Sequence, residues 1–498
     1  MRKLLPLLLL TLACTHARAD GPVEPLTTLA QERAAIHELN SLLKVHNGQA
    51  AGEQASRIIH SPAFPQLSAS ERHGCLFMLG MLSLTNDPRG AHDLLVQSSA
   101  MSEARFPDWD LRAQAAIRIR DVNDAILSLT TQIRQWPASA INLDVVESIY
   151  AVARDQPSPN DAYLDLLNLL YAAHWKADLG NEPDKLWLDL ATLLLERGRT
   201  ANAREVASHI TAANAIMLMR ADQRFAALIA LNPAHYNVEQ AAAADLVRWR
   251  QYAADNPHSL LAQATLIRAL SVLLRYREAA DLAHADLLKM TAATSPAAFD
   301  DQDDNLAFFI DSDSFALQNL GQRDEAARLL QATINTTPGI RVKTSLALAD
   351  LYIRMGRPTD ALATTTALGS QTSAYARMLI KTIAYEAALQ QHNPQAAATA
   401  LAYLHEHQAD APNRYLQSLI ESGQYDTAAT LAISSLADPG QRQTALAHFQ
   451  TCPDSPKTPV EAGEQARLDT FKARPDIQAA LARVGSANAY TVCPVELL

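Results

Sequence analysis

The run DKLWLDLATLLLERGRTANAREVASHI, residues 184–210, decides the reading of this chain. Trp187, Leu190, Ala191 and Leu194 recur at steps of three and four residues, which places them on one face of a helix. Arg197-Gly198-Arg199 then turns the chain, because glycine adopts the left-handed conformation that ends a helix without a Cβ clash. Beyond the turn Ala203, Ala207 and Ile210 form the inner stripe of a second helix, and small alanines let the two helices approach closely. The run reads as a hairpin of two short antiparallel helices.

An apolar residue, a glycine four places on and an alanine five places after that recur at Leu317/Gly321/Ala326, Tyr352/Gly356/Ala361 and Leu419/Gly423/Ala428. Gly321 and Gly356 are 35 residues apart, and the 67 residues from Gly356 to Gly423 leave room for two units. The missing turn falls at Gln390 to Pro394, before the alanine run Ala396 to Ala398. Trp109, Ala113, Ala116, Ala125, Leu129 and Pro137 fit a further unit, and Leu270, Tyr276 and Ala279 another. Weaker ones fall near Cys75 to Leu95 and Asp161 to Trp175.

This pattern resembles the tetratricopeptide repeat (TPR), in which a bulky residue, a Leu-small pair and an aromatic or apolar residue precede the turn, and alanines and a closing proline follow it. The unit around Leu317, Gly321, Ala326 and Leu330 ends on Pro338 at the matching offset. The resemblance implies an all-α fold, an α-α superhelix (solenoid) of TPR-like hairpins spanning 20–440. Composition agrees: of 498 residues 48% are hydrophobic but only 6% aromatic, and an apolar content made mostly of Ala and Leu suits helix-on-helix contact. A single compact core stops growing near roughly 250–300 residues, so a chain of this length is multi-domain or a one-dimensional array. The net charge of −11, with no basic stretch, leaves no electrostatic footprint for nucleic acid.

The first residues read as an export signal. Met1, Arg2 and Lys3 supply positive charge, Leu4 to Ala13 are apolar, and Ala17-Arg18-Ala19 offers small residues around a cut before Asp20. A second cut is open before Cys14, which resembles a bacterial lipoprotein signal and would allow acylation there. The mature chain is expected in the periplasm or secreted, or else lipid-anchored in the envelope. No later apolar run reaches the ~18 residues of a membrane span, since Asp165, Asn168 and Arg268 interrupt the longest candidates.

In such a compartment Cys452 and Cys493 could pair and close the segment 441–498, whose Pro453, Pro456 and Pro459 mark a break from the array. Cys75, in an apolar run, reads as a buried thiol. No spacing of Cys and His suits a metal, and no phosphate loop, nucleophile elbow or zinc-protease motif is present, so neither cofactor nor metal is expected. The acidic stretch Asp300, Asp301, Asp303, Asp304 with Asp311 and Asp313 lacks the glycine of a calcium loop, Asn305 standing there, and suits the start of a helix. His405 and His407 lie two apart on a helix and so diverge.

Function is therefore expected on residues between the core markers. By analogy with the groove of the repeat family, the first helices present Lys185, Thr192, Lys343, Asp350, Arg354 and Gln417 to a protein or peptide partner. The resulting expectation is a non-catalytic interaction scaffold of the bacterial cell envelope. The alternative is a cell-wall or exopolysaccharide enzyme, or an activator of one, built on an α-superhelix. Glu421-Ser422 faintly resembles the catalytic Glu-Ser of soluble lytic transglycosylases, without the Gly-Leu-Met-Gln segment that follows it there. Two facing carboxylates in a deep pocket would favour the enzyme, and a long groove the scaffold.

Overall fold

One backbone turn recurs along the chain. At His46, Arg120, His174, Gly198, Leu274, Gly321, Gly356, His392 and Gly423 the backbone is left-handed, with φ between 50° and 78°. At each, the amide of the next residue donates to the carbonyl five places back, as Arg199 to Leu194 and Asn393 to Ala388, at 2.8–3.0 Å. This is the six-to-one bond that closes a helix end. Five residues past every one of these turns except that at His174 stands an alanine, and Ala51, Ala125, Ala203, Ala279, Ala326, Ala361 and Ala428 are all fully buried. The hairpins are thus TPR-like in turn, spacing and inner stripe.

Four of these turns use glycine and five do not. A side chain at positive φ is strained by about 1–2 kcal/mol, and three of the five non-glycine turns are followed by a strong helix cap. Asn47, Asp121 and Asn393 each accept the amide three residues on, at 3.0–3.2 Å. Arg199, Gln322, Arg357 and Gln424, which follow the glycines, make no such side-chain bond.

The computed structural model describes residues 26–137, 143–154, 161–176, 183–292, 297–368, 372–453 and 455–494. Residues 1–19, where an export signal is expected, with both expected cutting positions and Cys14, lie outside them. Among the described residues there is no strand, only two isolated bridges, Asp222 to Gly485 and Thr451 to Ala489. No helix among them is long and apolar enough to cross a membrane.

The chain divides into two compact units, 1–149 and 150–498. The first holds α1 (Leu29–Lys44), α2 (Gly48–Ile59), α3 (Ala69–Ser83), α4 (Pro88–Ser99), α5 (Phe106–Arg118) and α6 (Val122–Gln135); α7 (Leu143–Arg154) runs across the division. Leu39, Ala51, Ala55, Ile58, Cys75 and Leu79 pack together there. Burial, with the Glu32 and Glu71 carboxylates nearby, pushes the Cys75 thiol up to about 12, so it stays protonated and unreactive.

The second unit continues with α8 (Asp161–Ala172), α9 (Asp184–Glu196), α10 (Thr200–Ala207), α11 (Ala213–Ala221), α12 (Ala226–Leu231) and α13 (Val238–Asp255). Then come α14 (Leu260–Val272), α15 (Tyr276–Ala292), α16 (Gln302–Asn319), α17 (Arg323–Thr336), α18 (Arg341–Arg354), α19 (Pro358–Thr366) and α20 (Ala374–Gln390). The last are α21 (Pro394–Glu406), α22 (Pro412–Glu421), α23 (Tyr425–Ala437), α24 (Arg442–Ala447), α25 (Pro459–Lys472) and α26 (Pro475–Val484). The C-terminal segment is packed into this unit: Leu446 of α24 and Ile477, Ala480 and Leu481 of α26 share one core with Leu419, Ala428 and Leu436. The acidic stretch caps a neighbouring helix, since Asp301 accepts the Leu260 amide at 2.6 Å and the Ser259 hydroxyl at 2.9 Å.

Candidate partner-binding face

The shared turn puts the first helix of every hairpin in one register. Six residues before it stand Thr192, Arg268, Phe315, Asp350, Glu386 and Gln417; two before it stand Glu196, Val272, Asn319, Arg354, Gln390 and Glu421. Positions four apart share a helix face, so α9, α14, α16, α18, α20 and α22 each contribute one pair at equivalent places.

A polypeptide already lies against these positions, and it is the chain's own C-terminus. Gln443 donates to the Thr192 hydroxyl at 2.7 Å, and the Thr458 hydroxyl donates to the Arg354 carbonyl at 2.6 Å. Arg323 reaches the Pro456 carbonyl and the Glu461 carboxylate, the latter at 2.6 Å. The Cys493 amide donates to the Val272 carbonyl at 2.8 Å and the Ser486 amide to Ala221 at 2.9 Å. Gly485 permits the last approach: a Cβ there would stand 2.0 Å from the Ala221 carbonyl oxygen. Cys452 and Cys493 are joined by a disulfide with their Cα atoms 5.0 Å apart, closing the segment into a loop.

Under α25 the first-helix face is rich in carboxylates. Asp350 and Arg354 pair at 2.5 Å along α18, and Gln417 donates to Glu421 at 2.9 Å along α22. Glu386 and Glu421 lie close enough for their carboxyl groups to act on one another. Burial pushes Glu386 well above the ordinary range, and the Glu421, Asp350 and Glu464 carboxylates push it further. Glu421 is raised by burial against the opposing effect of the Gln417 bond and Arg467. Glu464, on α25 itself, is lifted to about 7 by burial and then by Glu421 and Asp350, with Arg354 and Arg467 opposing.

The structure brings together Asp350, Arg354 and Gln417 of the residues expected to line the groove. Lys185 and Lys343 lie exposed near the starts of α9 and α18, Lys343 4.0 Å from Asp311. Thr192 needs a correction, because it is buried and its hydroxyl is taken by Gln443, so that position is filled from within the chain. Glu386, Glu464 and Arg323 escaped the sequence reading. Glu386 could have been found from its place six residues before His392, had a histidine been accepted as the turn residue. Glu464 and Arg323 carry no sequence signal, since their meeting with the array depends on where a distant segment folds back. His405 bonds the Tyr415 hydroxyl at 2.9 Å and His407 stacks on Tyr403, a helix-end arrangement. Among the described residues no group of His, Cys, Asp and Glu is placed to hold a metal ion.

No family model matches the sequence, and neither does any curated protein. Among solved structures the chain is similar to the APC/C hetero-tetramer Cut9-Hcn1, at 10% identity over 91% of this chain and 90% of that one, with a TM-score of 0.27. It is also similar to Naa15/Naa10 bound to HypK-THB, at 12% identity over 91% and 79%, TM-score 0.26. A circular tandem repeat protein with novel repeat topology matches at 13% identity over 91% and 90%, TM-score 0.12. By its own turns and alanine stripes, this chain is an all-α protein of TPR-like helical hairpins.

Proposed function

We propose that the protein is a non-catalytic, protein-binding scaffold of the bacterial cell envelope, and that the first-helix face of the second unit is where it holds its partner. The observation that carries this reading is that the face already holds a polypeptide, through Thr192, Val272 and Arg354, by a mixture of side-chain and backbone bonds. A row of equivalent positions on successive hairpins is suited to an extended or helical peptide. Placement outside the cytoplasm is supported by the signal read at 1–19 and by the Cys452–Cys493 disulfide, a bond that persists in oxidising compartments. Acylation at Cys14 would make the same scaffold membrane-anchored.

The enzyme alternative has one observation in its favour, the buried pair Glu386 and Glu421. Glycoside hydrolysis requires two carboxyl groups roughly 5 Å or more apart with a sugar between them. Here the two act on one another with Glu464 of α25 beside them, an arrangement suited to holding a helix. The test is crosslinking in intact cells that make the protein, followed by capture, with Lys343→Glu and Arg354→Glu as the comparison. Loss of a specific partner in the double variant is expected; unchanged capture of every partner overturns the assignment of this face.

A further inference from the structure

The C-terminal segment is not uniformly attached. Leu446 of α24 and Ile477 of α26 are fully buried, and Ala480 and Leu481 nearly so. Between them, α25 buries only Phe471. Beside it Leu468 is half-buried against the same core and Val460 is half-buried too, and the other inward positions are polar: Thr458, Glu461, Glu464 and Arg467 act on Arg323, Arg354, Asp350 and Glu421. A helix with a single fully buried side chain, held largely by ionisable groups between two more firmly packed neighbours, is the part of the segment expected to open first.

Its charges also fit the face imperfectly. At the start of α25 the match is good, with Glu461 on Arg323, and Pro456 and Val460 in ordinary contact range of the turns at Gly321 and Gly356. Six residues on, Arg467 faces the carboxylate of Glu421. Between them Glu464 is pressed among Asp350 and Glu421, like charges that oppose its seating. A competing helix with the same acidic first turn and basic third turn, but a neutral residue in the turn between, would fit better than α25 does.

We propose that α25 is a strap over an interaction surface made by α18, α20 and α22, and that a partner protein's helix with an acidic first turn and a basic third turn docks there when the strap swings out. The strap is then a displaceable internal substitute for the partner, tethered by α24, α26 and the Cys452–Cys493 disulfide. This rests on the scaffold reading above and specifies its ligand.

The test uses the full chain and a fluorescent synthetic peptide of residues 456–474. Glu461→Lys with Phe471→Ser in the chain removes the tie to Arg323 and the one fully buried side chain of the strap, and changes no residue of α18, α20 or α22. The released chain is expected to bind the peptide at least tenfold more tightly than the unaltered chain. A peptide carrying Glu464→Gln should bind more tightly again at pH 8, and Arg323→Glu added to the released chain should abolish binding. Absence of peptide binding by a released chain that keeps its helical circular dichroism overturns the proposal. So does collapse of the array on release, which would make α25 part of its core, or concentration-dependent dimerisation in place of peptide binding, which would assign the surface to a second copy. Failure of the peptide while a partner is still lost on Lys343→Glu would leave the scaffold reading standing and remove only the strap.

Discussion

Arg323 Nη2 stands 2.6 Å from Oε2 of Glu461, and the same oxygen accepts the Thr458 amide at 2.7 Å. One carboxylate therefore both starts α25 and ties it to the array, across 138 residues of sequence. The two roles separate by mutation. Arg323→Ala removes the tie and leaves the cap, while Glu461→Ala removes the tie and the carboxylate half of the cap, the Thr458 hydroxyl still accepting the amide of residue 461. Partly buried charge-assisted bonds contribute about 1.5–3 kcal/mol and a cap about 1 kcal/mol. Hydrogen exchange of the α25 amides should quicken in Arg323→Ala and quicken more in Glu461→Ala, with α24 and α26 little changed.

The hold of α25 should weaken as pH rises. Glu464 titrates near 7 when the strap is seated, against an ordinary value of about 4.3 once it is exposed. A group raised in the closed state contributes stability that is fully present below its ordinary value and lost as pH rises through the raised one. The groups that act on it are Asp350 and Arg354 on α18, Glu386 on α20, Glu421 on α22 and Arg467 on α25 itself. Glu386 and Glu421 are raised too and act in the same direction. Opening of α25, measured by hydrogen exchange corrected for intrinsic rate, should increase between pH 5 and pH 8. Glu464→Gln should flatten much of that dependence and hold the strap more tightly at pH 8. Asp313 on α16, also lifted to about 7 by burial, bears on the array and not on α25, so the local readout separates the two.

The strained turns offer a gain. Leu274 and His392 hold φ of 60° and 53° at places where four other hairpins use glycine. Leu274→Gly and His392→Gly should each raise the urea midpoint of the second unit by the equivalent of about 1 kcal/mol, the cost of a side chain in that region. Gly423→Ala should lower it by a similar amount. A fall in both glycine variants would mean that the side chains of Leu274 and His392 contribute packing that outweighs the strain.

Two devices fix the far end of the C-terminal loop. Gly485→Ala drives a methyl into the Ala221 carbonyl and should loosen 485–494, seen as faster exchange there and a loss of about 1–3 kcal/mol. Cys452→Ser with Cys493→Ser opens a loop of 41 residues, for which chain entropy gives a loss of at most about 4 kcal/mol. Equal melting of the reduced and oxidised protein would show that the packing of α24 and α26 alone holds the segment.

The hairpins were legible because helix ending and close packing each demand one residue type, glycine at the turn and alanine five places on. Where Arg120, Leu274 or His392 takes the turn, the alanine still marks the hairpin and a following Asp121 or Asn393 supplies the cap, so those units were found with a blurred register. The Cys452 and Cys493 positions drew attention because a proline-rich break flanked one of them. What could not be read was the return of 441–494 across the first helices. That docking rests on Arg323, Glu464 and Gly485, single residues whose partners lie 100 or more residues away, and no periodicity links them. Thr192 was misplaced for the same reason, being at the right register position with its surface taken by Gln443.

The central claim is that partners meet the first-helix face. Photo-crosslinking groups placed singly at Lys343 and Asp350 on α18, and at the exposed Arg328 on α17 and Gln395 on α21, test it in intact cells. The account predicts an adduct with one and the same protein from the two α18 positions and none from α17 or α21. Adducts confined to α17 and α21, or equal at all four, would contradict it.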